Sequence, residues 1–427
     1  TRLILARKYP RLNSSPALSL ELDALFGQPP LGCHDYYDAR LLEAVRQGRV
    51  DVLVTDDIGL RRRAQSAALG DRVLSSSDAL ELARDVYEPT PSPPPRARSV
   101  TCAQLNRSDP LFDSLRVDYP GFEDWLDVAA RQRRRGWVVE SDDGSYAALA
   151  IVKEEDPGEH GLQGRLLKIC TFKVSAEHGG NRYGELLLKA ILDYAAVSAY
   201  DRAFVVARDD KGELFAFLEQ FGFHKLDVLK GGTDTVYAKI LRPSDVEAAG
   251  LSNLEYHIAF GPPAARYDGV PAYVVPIRPE LHGRLFPDVE SQLALPVISE
   301  PHGNAIRKAY LCHAGVKAIQ PGDLLYFYRS VTSELTMVGV VEDIARLSDP
   351  ADIVRMAGKR TLYTNADVQK MTVSGEVLVL GFRQAEVIRP SVGLSELRAE
   401  AVLKAHPQTV VRLGEEAAAW LAQRVRS

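Results

Sequence analysis

The sequence predicts a multi-domain chain of mixed α/β and α+β class, and three observations carry that expectation. Its 427 residues suggest about three domains, since one domain usually takes roughly 100–200 residues. The stretch "YEPTPSPPPRARS" (Tyr87 to Ser99) holds five prolines, which remove backbone donors and favour extended chain, so it reads as a semi-rigid linker. A second break, rich in Pro and Gly, runs from Phe260 to Asp288. These marks divide the chain into an N-terminal α/β region (1–88), the linker (89–99), a central mixed segment (100–245), a β-rich segment (253–392) and a helical tail (393–427).

Composition narrows the function classes. Hydrophobic residues make up 46% and charged residues 26% of the chain, which suits an ordinary globular core. A net charge of −5 excludes a uniformly basic nucleic-acid binder, although a local patch would be hidden in that average. The four cysteines, Cys33, Cys102, Cys170 and Cys312, show neither CxxC nor zinc spacing. Together with the lack of an apolar run near the roughly 18 residues of a membrane helix, this gives the expectation of a reduced, cytoplasmic protein.

In the N-terminal region, "RVDVLVTDDIGLRRRAQ" contains a strand ending in Asp56 and Asp57, preceded by the helix-like "HDYYDARLLEAVRQGR" with Asp35 and Asp38. Acids at a strand's carboxyl end, near an acid from a neighbouring helix, can hold Mg²⁺ or Mn²⁺, and such ions activate water for phosphodiester cleavage. The pattern resembles the C-terminal half of a PIN domain. That resemblance makes Asp38 the helix acid and Asp57 the strand-end acid, with Asp56 beside it as a metal ligand and Glu21 a looser second match. The aspartate-ending strand that opens a PIN domain is missing, so an incomplete nuclease is expected. The alternative is that Asp56 and Asp57 cap a helix.

The central segment reads as strand, glycine turn, helix: "RLLKICTFKVS", "AEHGGNRYG", then "ELLLKAILDYAAVSAY". Helical spacing puts Leu187, Leu188, Ile191, Leu192 and Ala195 on one face. Glycines let backbone amides approach a ligand, and a helix N-terminus favours phosphate oxygens. No GK[ST] follows, and the spacing does not fit a dinucleotide fold. The order of elements from "DPLFDSLRVDYPGFEDWLDVAARQRRRGWVVE" through "SYAALAIVKEE", "RAFVVARDD", "GELFAFLEQFGFHKL" and "DTVYAKIL" resembles the GNAT acetyltransferases over about 140 residues.

That resemblance implies acetyl-CoA as donor. Its binding residues would be Phe172, Lys173 and Val174 on the strand, then Gly179, Gly180, Asn181, Arg182, Tyr183, Gly184 and Glu185 at the loop. Gly184 falls on the last glycine of the family's loop, and Arg182 takes the place of the glycine before it. A Tyr that many members use as general acid is Leu218 here. Glu154 and Glu177 are the candidate bases, and "RQRRRG" (Arg131 to Gly136) is a basic run on the substrate side of the family fold.

The β-rich segment carries "DLLYFYRS", "LTMVGVVEDI" and "GEVLVLGFRQAEVI" around a "QPGD" turn. It resembles the ASCH group of the PUA-like superfamily, which implies a small β-barrel with an RNA- or base-binding cleft. Asn304, Arg307, Lys308, Tyr310, Lys317, Tyr328, Arg329 and Thr361 would line it, basic groups meeting phosphates and tyrosines stacking on unpaired bases. The whole reads as an acetyl-CoA-dependent N-acetyltransferase in an RNA context, with tRNA a candidate partner. The alternatives are a metal-dependent PIN-type ribonuclease with a CoA-sensing module, and a non-catalytic RNA-binding regulator.

Overall fold

The computed structural model describes residues 17–50, 52–76, 79, 97–141, 143–226, 234–289 and 301–426. The linker therefore lies outside the described residues up to position 96. Residues 1–87 and 88–427 form two compact units. Among the described residues, no helix is long and apolar enough to cross a membrane.

In the first unit, helices α1 (Leu20–Phe26) and α2 (His34–Arg46) precede β1 (Leu53–Val54), α3 (Ile58–Ser66) and β2 (Val73–Leu74). The two short strands pair in parallel. Leu22, Phe26, Leu42, Val45 and Leu60 form a small core under them.

The second unit contains two mixed sheets. The first has seven strands in the order β3-β4-β5-β6-β7-β9-β8. Its chain path is β3 (Arg98–Thr101), α4 (Asp113–Asp118), α5 (Phe122–Arg131), β4 (Arg135–Glu140), β5 (Tyr146–Glu155), β6 (Leu166–Val174), α6 (Tyr183–Val197), β7 (Arg202–Arg208), α7 (Gly212–Glu219), β8 (His224–Lys225) and β9 (Asp234–Ile240). Only β6 and β7 run parallel; the other neighbours are antiparallel. Helix α6 buries Leu187, Leu188, Ile191, Leu192 and Ala195 against this sheet, the face its periodicity predicts. Each of the larger side chains contributes about 1.5–3 kcal/mol by leaving water.

Helix α8 (Asn253–Phe260) leads into β10 (Ala272–Ile277) of the second sheet. There follow α9 (Pro301–Asn304), β11 (Arg307–Cys312), β12 (Leu324–Arg329), β13 (Glu334–Leu347), β14 (Val377–Gly393), β15 (Val411–Arg412) and α10 (Glu415–Arg426). The strand order is β11-β14-β13-β12-β10-β15. This corrects the barrel expected from sequence. Among the described residues the edge strands β11 and β15 do not pair with each other, so the sheet is open.

Strand β10 falls inside the stretch read as a break. The strand contains Pro276, but β15 pairs only with Tyr273 and Val274. Pro276 lies beyond the doubly paired part, where a missing N–H costs least. Nor is the tail simply helical: β15 and the apolar face of α10 (Leu421, Ala422) close the second core.

Candidate active site

The site begins with a gap in a hydrogen-bond ladder. Strands β6 and β7 pair from Leu166–Ile169 to Arg202–Val205. Strand β6 continues to Val174 and β7 to Arg208, and beyond Ile169 their facing edges separate. On its other side β6 stays paired with β5 as far as Ala148↔Val174, so the gap has a rigid wall. The Ser175 N–H donates to the Ala147 carbonyl at 2.8 Å, toward β5. Two-residue alternation along a strand then turns the N–H groups of Phe172 and Val174 toward the opening and that of Lys173 away from it.

At the end of this wall the chain turns into α6. Gly180 has φ +88° and Arg182 φ +56°, both in the left-handed region. Arg182 thus adopts a conformation that glycine takes freely, at a cost of about 1–2 kcal/mol. A Cβ on Gly184 would lie 3.4 Å from the Phe217 ring and 3.7 Å from that of Phe172, so glycine leaves the helix start uncovered. First-turn amides of a helix have no acceptor within it and attract anions. Together with the Arg182 guanidinium they form a donor set that suits a diphosphate.

Glu185, in that first turn, is buried. Its carboxylate accepts from Arg182 Nη1 at 2.5 Å, from the Ile306 N–H at 2.7 Å and from the Arg307 N–H at 3.3 Å. Burial raises its pKa, but Arg182 and the main-chain donors outweigh this and hold it below the usual carboxylate range.

Charged groups gather where β7 ends. Asp118 accepts from Lys211 Nζ at 2.7 Å, which, with Arg208 and Lys173 nearby, depresses its pKa. Arg208 donates to the Asp118 carbonyl at 3.2 Å and to Asp210 at 2.8 Å, and lies over the Tyr119 ring at 5.3 Å. Thr235 donates to Asp209. Of this cluster the sequence reading named only Lys173. The others come from four separate elements, and only their position after strand β7 and helix α4 hinted at them.

Of the two candidate bases, Glu154 is misplaced. It pairs with Leu167 at the closed end of β6 and is held by Arg165 at 2.8 and 2.9 Å and by the Tyr200 hydroxyl at 3.2 Å. The sequence offered it as a candidate base without showing which end of the sheet it occupied. Glu177 is exposed in the turn before α6. Leu218 is fully buried, so no hydroxyl acid stands there. In the basic run, Arg134 and Arg135 lie over Trp125 and Tyr194.

Of the residues expected in a nucleic-acid cleft, Asn304, Arg307, Lys308, Tyr310 and Thr361 lie on or beside β11, but most of the set is buried or paired within the protein. Asn304 and Lys308 are buried; Asn304 donates to the Asn181 carbonyl at 3.0 Å and Lys308 Nζ to that of Gly303 at 3.0 Å. Tyr328 has no exposed surface and bonds His406 at 2.9 Å, so as placed it cannot stack on a base. Tyr310, 8% exposed, donates to the Pro276 carbonyl. Arg329 pairs with Glu334 and Arg307 with Glu342. Thr361 bridges to Ala309, and Lys317 is exposed.

Nor do the N-terminal acids form an open metal centre. Asp57 caps α3 by accepting from the Leu60 N–H at 2.9 Å, and Asp56 accepts from the N–H and hydroxyl of Ser76. Asp38 does come near Asp57. Burial, with smaller repulsion from Asp57 and Asp35, raises its pKa despite His34 and Arg63. His34, Asp35 and Asp38 cluster closely, but Arg63 donates to Asp35 at 2.6 Å and lies 3.7 Å from Asp38. A guanidinium already supplies the positive charge.

With this geometry in view, residues 100–223 match the acetyltransferase (GNAT) family. That segment is an acyltransferase domain, and the family's fold implies acetyl-CoA as the donor. No curated relative matches the chain. Among solved structures, the chain is similar to an IAA acetyltransferase from Bacillus cereus, at 16% identity over 34% of this chain and 99% of that one, with a TM-score of 0.28. It is also similar to a GNAT acetyltransferase from Staphylococcus aureus (14% identity, 30% and 80% covered, TM-score 0.25). A third is ASCH from Zymomonas mobilis (10% identity, 36% and 94% covered, TM-score 0.27).

Proposed function

We propose that the protein transfers an acetyl group from acetyl-CoA to an amine at the mouth between β6 and β7. The single observation that carries this reading is the separation of these strands beyond Ile169 and Val205, directly before a helix start with left-handed residues at Gly180 and Arg182. When bound, the donor supplies an activated thioester carbonyl. The N–H groups of Phe172 and Val174 are oriented to hold that end of the donor and to stabilise charge developing on the carbonyl oxygen. Arg182 and the first-turn amides of α6 hold the diphosphate. An amine would approach past Asp118, Tyr119, Arg208 and Lys211. With Leu218 buried, the departing thiolate takes its proton from solvent in the mouth, and Glu177 is the remaining candidate among the bases expected from sequence.

In its wider form the proposal places the amine on RNA delivered by the C-terminal sheet. Lys317 is the exposed member of the residues expected there. Incubation of the intact protein with acetyl-CoA and either tRNA or amine-bearing peptides, followed by mass spectrometry, separates the forms. An acetyl increment on tRNA supports the wider form, and one on peptide only removes the RNA context. If acetyl-CoA neither raises the melting temperature nor is consumed, the enzyme reading fails.

A further inference from the structure

The carboxylate that holds Arg182 belongs to two structures at once. Glu185 lies in the first turn of the helix that would receive the diphosphate, yet two of its three donors are main-chain N–H groups of the C-terminal sheet, at Ile306 and Arg307. Beside it, the Asn181 carbonyl of the same loop accepts from Asn304. One turn further along α6, Lys189 pairs with Asp288 at 2.6 Å, and Asp288 also accepts from Gln384 of β14. The donor loop is therefore bonded to the second sheet along a row of polar contacts spaced at Asn181, Glu185 and Lys189.

Glu185 is 4% exposed, so its charge needs partners. Arg182 is the only one of the three donors that carries a full charge and a side chain able to swing toward a ligand. A diphosphate arriving at this loop competes with Glu185 for that guanidinium, and it also meets the negative charge of Glu185 itself. The main-chain donors cannot leave with Arg182, because they are fixed in the entry to β11.

We infer that Glu185 is a positioning residue that sets acetyl-CoA affinity by withholding Arg182, and that it transmits occupancy of the loop to the C-terminal sheet through the Ile306 and Arg307 amides. This rests on the acetyl-CoA reading above. As the donor binds, Arg182 passes from the carboxylate to the diphosphate. Glu185 then leans harder on the two remaining N–H groups. Linkage makes the effect reciprocal: whatever loosens the entry to β11 must change donor affinity by the same factor that donor binding changes the entry.

Two measurements on the full chain decide it. Glu185→Gln keeps an oxygen for the Ile306 N–H but cannot form an ion pair with a guanidinium, and it removes a negative charge near the diphosphate. The KM for acetyl-CoA should fall roughly fivefold or more, within the usual range of coupling, with kcat little changed. A residue that is only structural would instead lower the melting temperature and leave KM unchanged or raised, and that outcome overturns the inference. The second measurement needs no variant. In the wild type, saturating acetyl-CoA should slow hydrogen exchange of the Ile306 and Arg307 amides; unchanged exchange while acetyl-CoA demonstrably binds also overturns it. If the wild type shows no thermal shift with acetyl-CoA, the parent reading falls first, and this inference with it.

Discussion

Two of the places where arginines and carboxylates meet in the second unit are used differently. At the mouth, Arg182 is bound to one carboxylate beside a ladder left open along β6. At the joint between the two sheets, Glu342 of β13 is enclosed: one oxygen accepts from Arg383 at 3.0 Å, the other from Arg307 at 2.8 Å, with Arg360 at 3.5 Å. Arg383 also donates to the Gln220 carbonyl after α7 and lies over the Phe221 ring at 5.7 Å. Three cations on one buried anion leave nothing for a ligand to take. The difference teaches where function can sit: exchangeable partners next to unpaired backbone make a binding site, whereas saturated partners fix the body that holds it.

The largest effect should come from breaking the joint. Glu342→Ala removes the anion shared by Arg383 and Arg307, while Arg360 keeps Asp343 at 3.3 Å; removing one partner of such a buried network costs about 3–5 kcal/mol. Urea unfolding measures this. A loss under about 1 kcal/mol would put the joint in the class of exposed surface pairs and remove the contrast.

Acid should break the same joint next. Burial opposes ionisation of Glu342, but Arg383, Arg307 and Arg360 outweigh it and bring its pKa down to about 2. A carboxyl depressed from an ordinary value near 4.5 contributes stability that is complete above that value and lost as pH falls toward 2. At about 1.4 kcal/mol per unit, this is worth about 3 kcal/mol. His257 of α8 adds an earlier loss. Its Nδ1 faces the Ala264 carbonyl at 2.7 Å, and burial lowers its pKa to about 3. The unfolded imidazole takes up a proton below about pH 6.5 while the folded one does not, so stability declines from there downward. Melting temperatures from pH 7 to pH 3 should fall in two stages; a flat profile would contradict both assignments.

At the mouth the expected effect is smaller and falls on binding. Gly184→Val puts branched carbon against Phe217 and Phe172 at the helix start and should raise the KM for acetyl-CoA about tenfold, or about 1.4 kcal/mol. The melting temperature without ligand should barely move. The smallest effect belongs to Glu154→Gln at the closed end of β6. There kcat and KM should stay within about twofold, since an exposed ion pair is worth at most about 1 kcal/mol. A large loss of kcat in this variant would restore Glu154 as the base and reverse our reading of the two ends.

How much of this was legible in the sequence depended on range. The apolar face of α6, the glycine loop and the order of elements in 100–223 were readable, because each is a local pattern. The left-handed Arg182 was foreshadowed by its place in a glycine's position. Strand β10 was hidden by Pro276 and its Pro- and Gly-rich surroundings, and β15 by its length of two residues. The misplacement of Glu154 and the burial of Lys308 and Tyr328 share one cause: tertiary packing decides which end of a strand faces the site and which polar side chains become interior. Partners such as Glu342 with Arg307, Arg360 and Arg383 lie on separate elements, and nothing in their spacing announces that they meet.

Hydrogen exchange of the intact protein, with and without acetyl-CoA, tests the central claim most directly. Slowed exchange at Phe172, Val174 and the first turn of α6, with the closed end from Glu154 to Leu166 unaffected, is the result our account predicts. Protection that falls elsewhere, or nowhere, would contradict it.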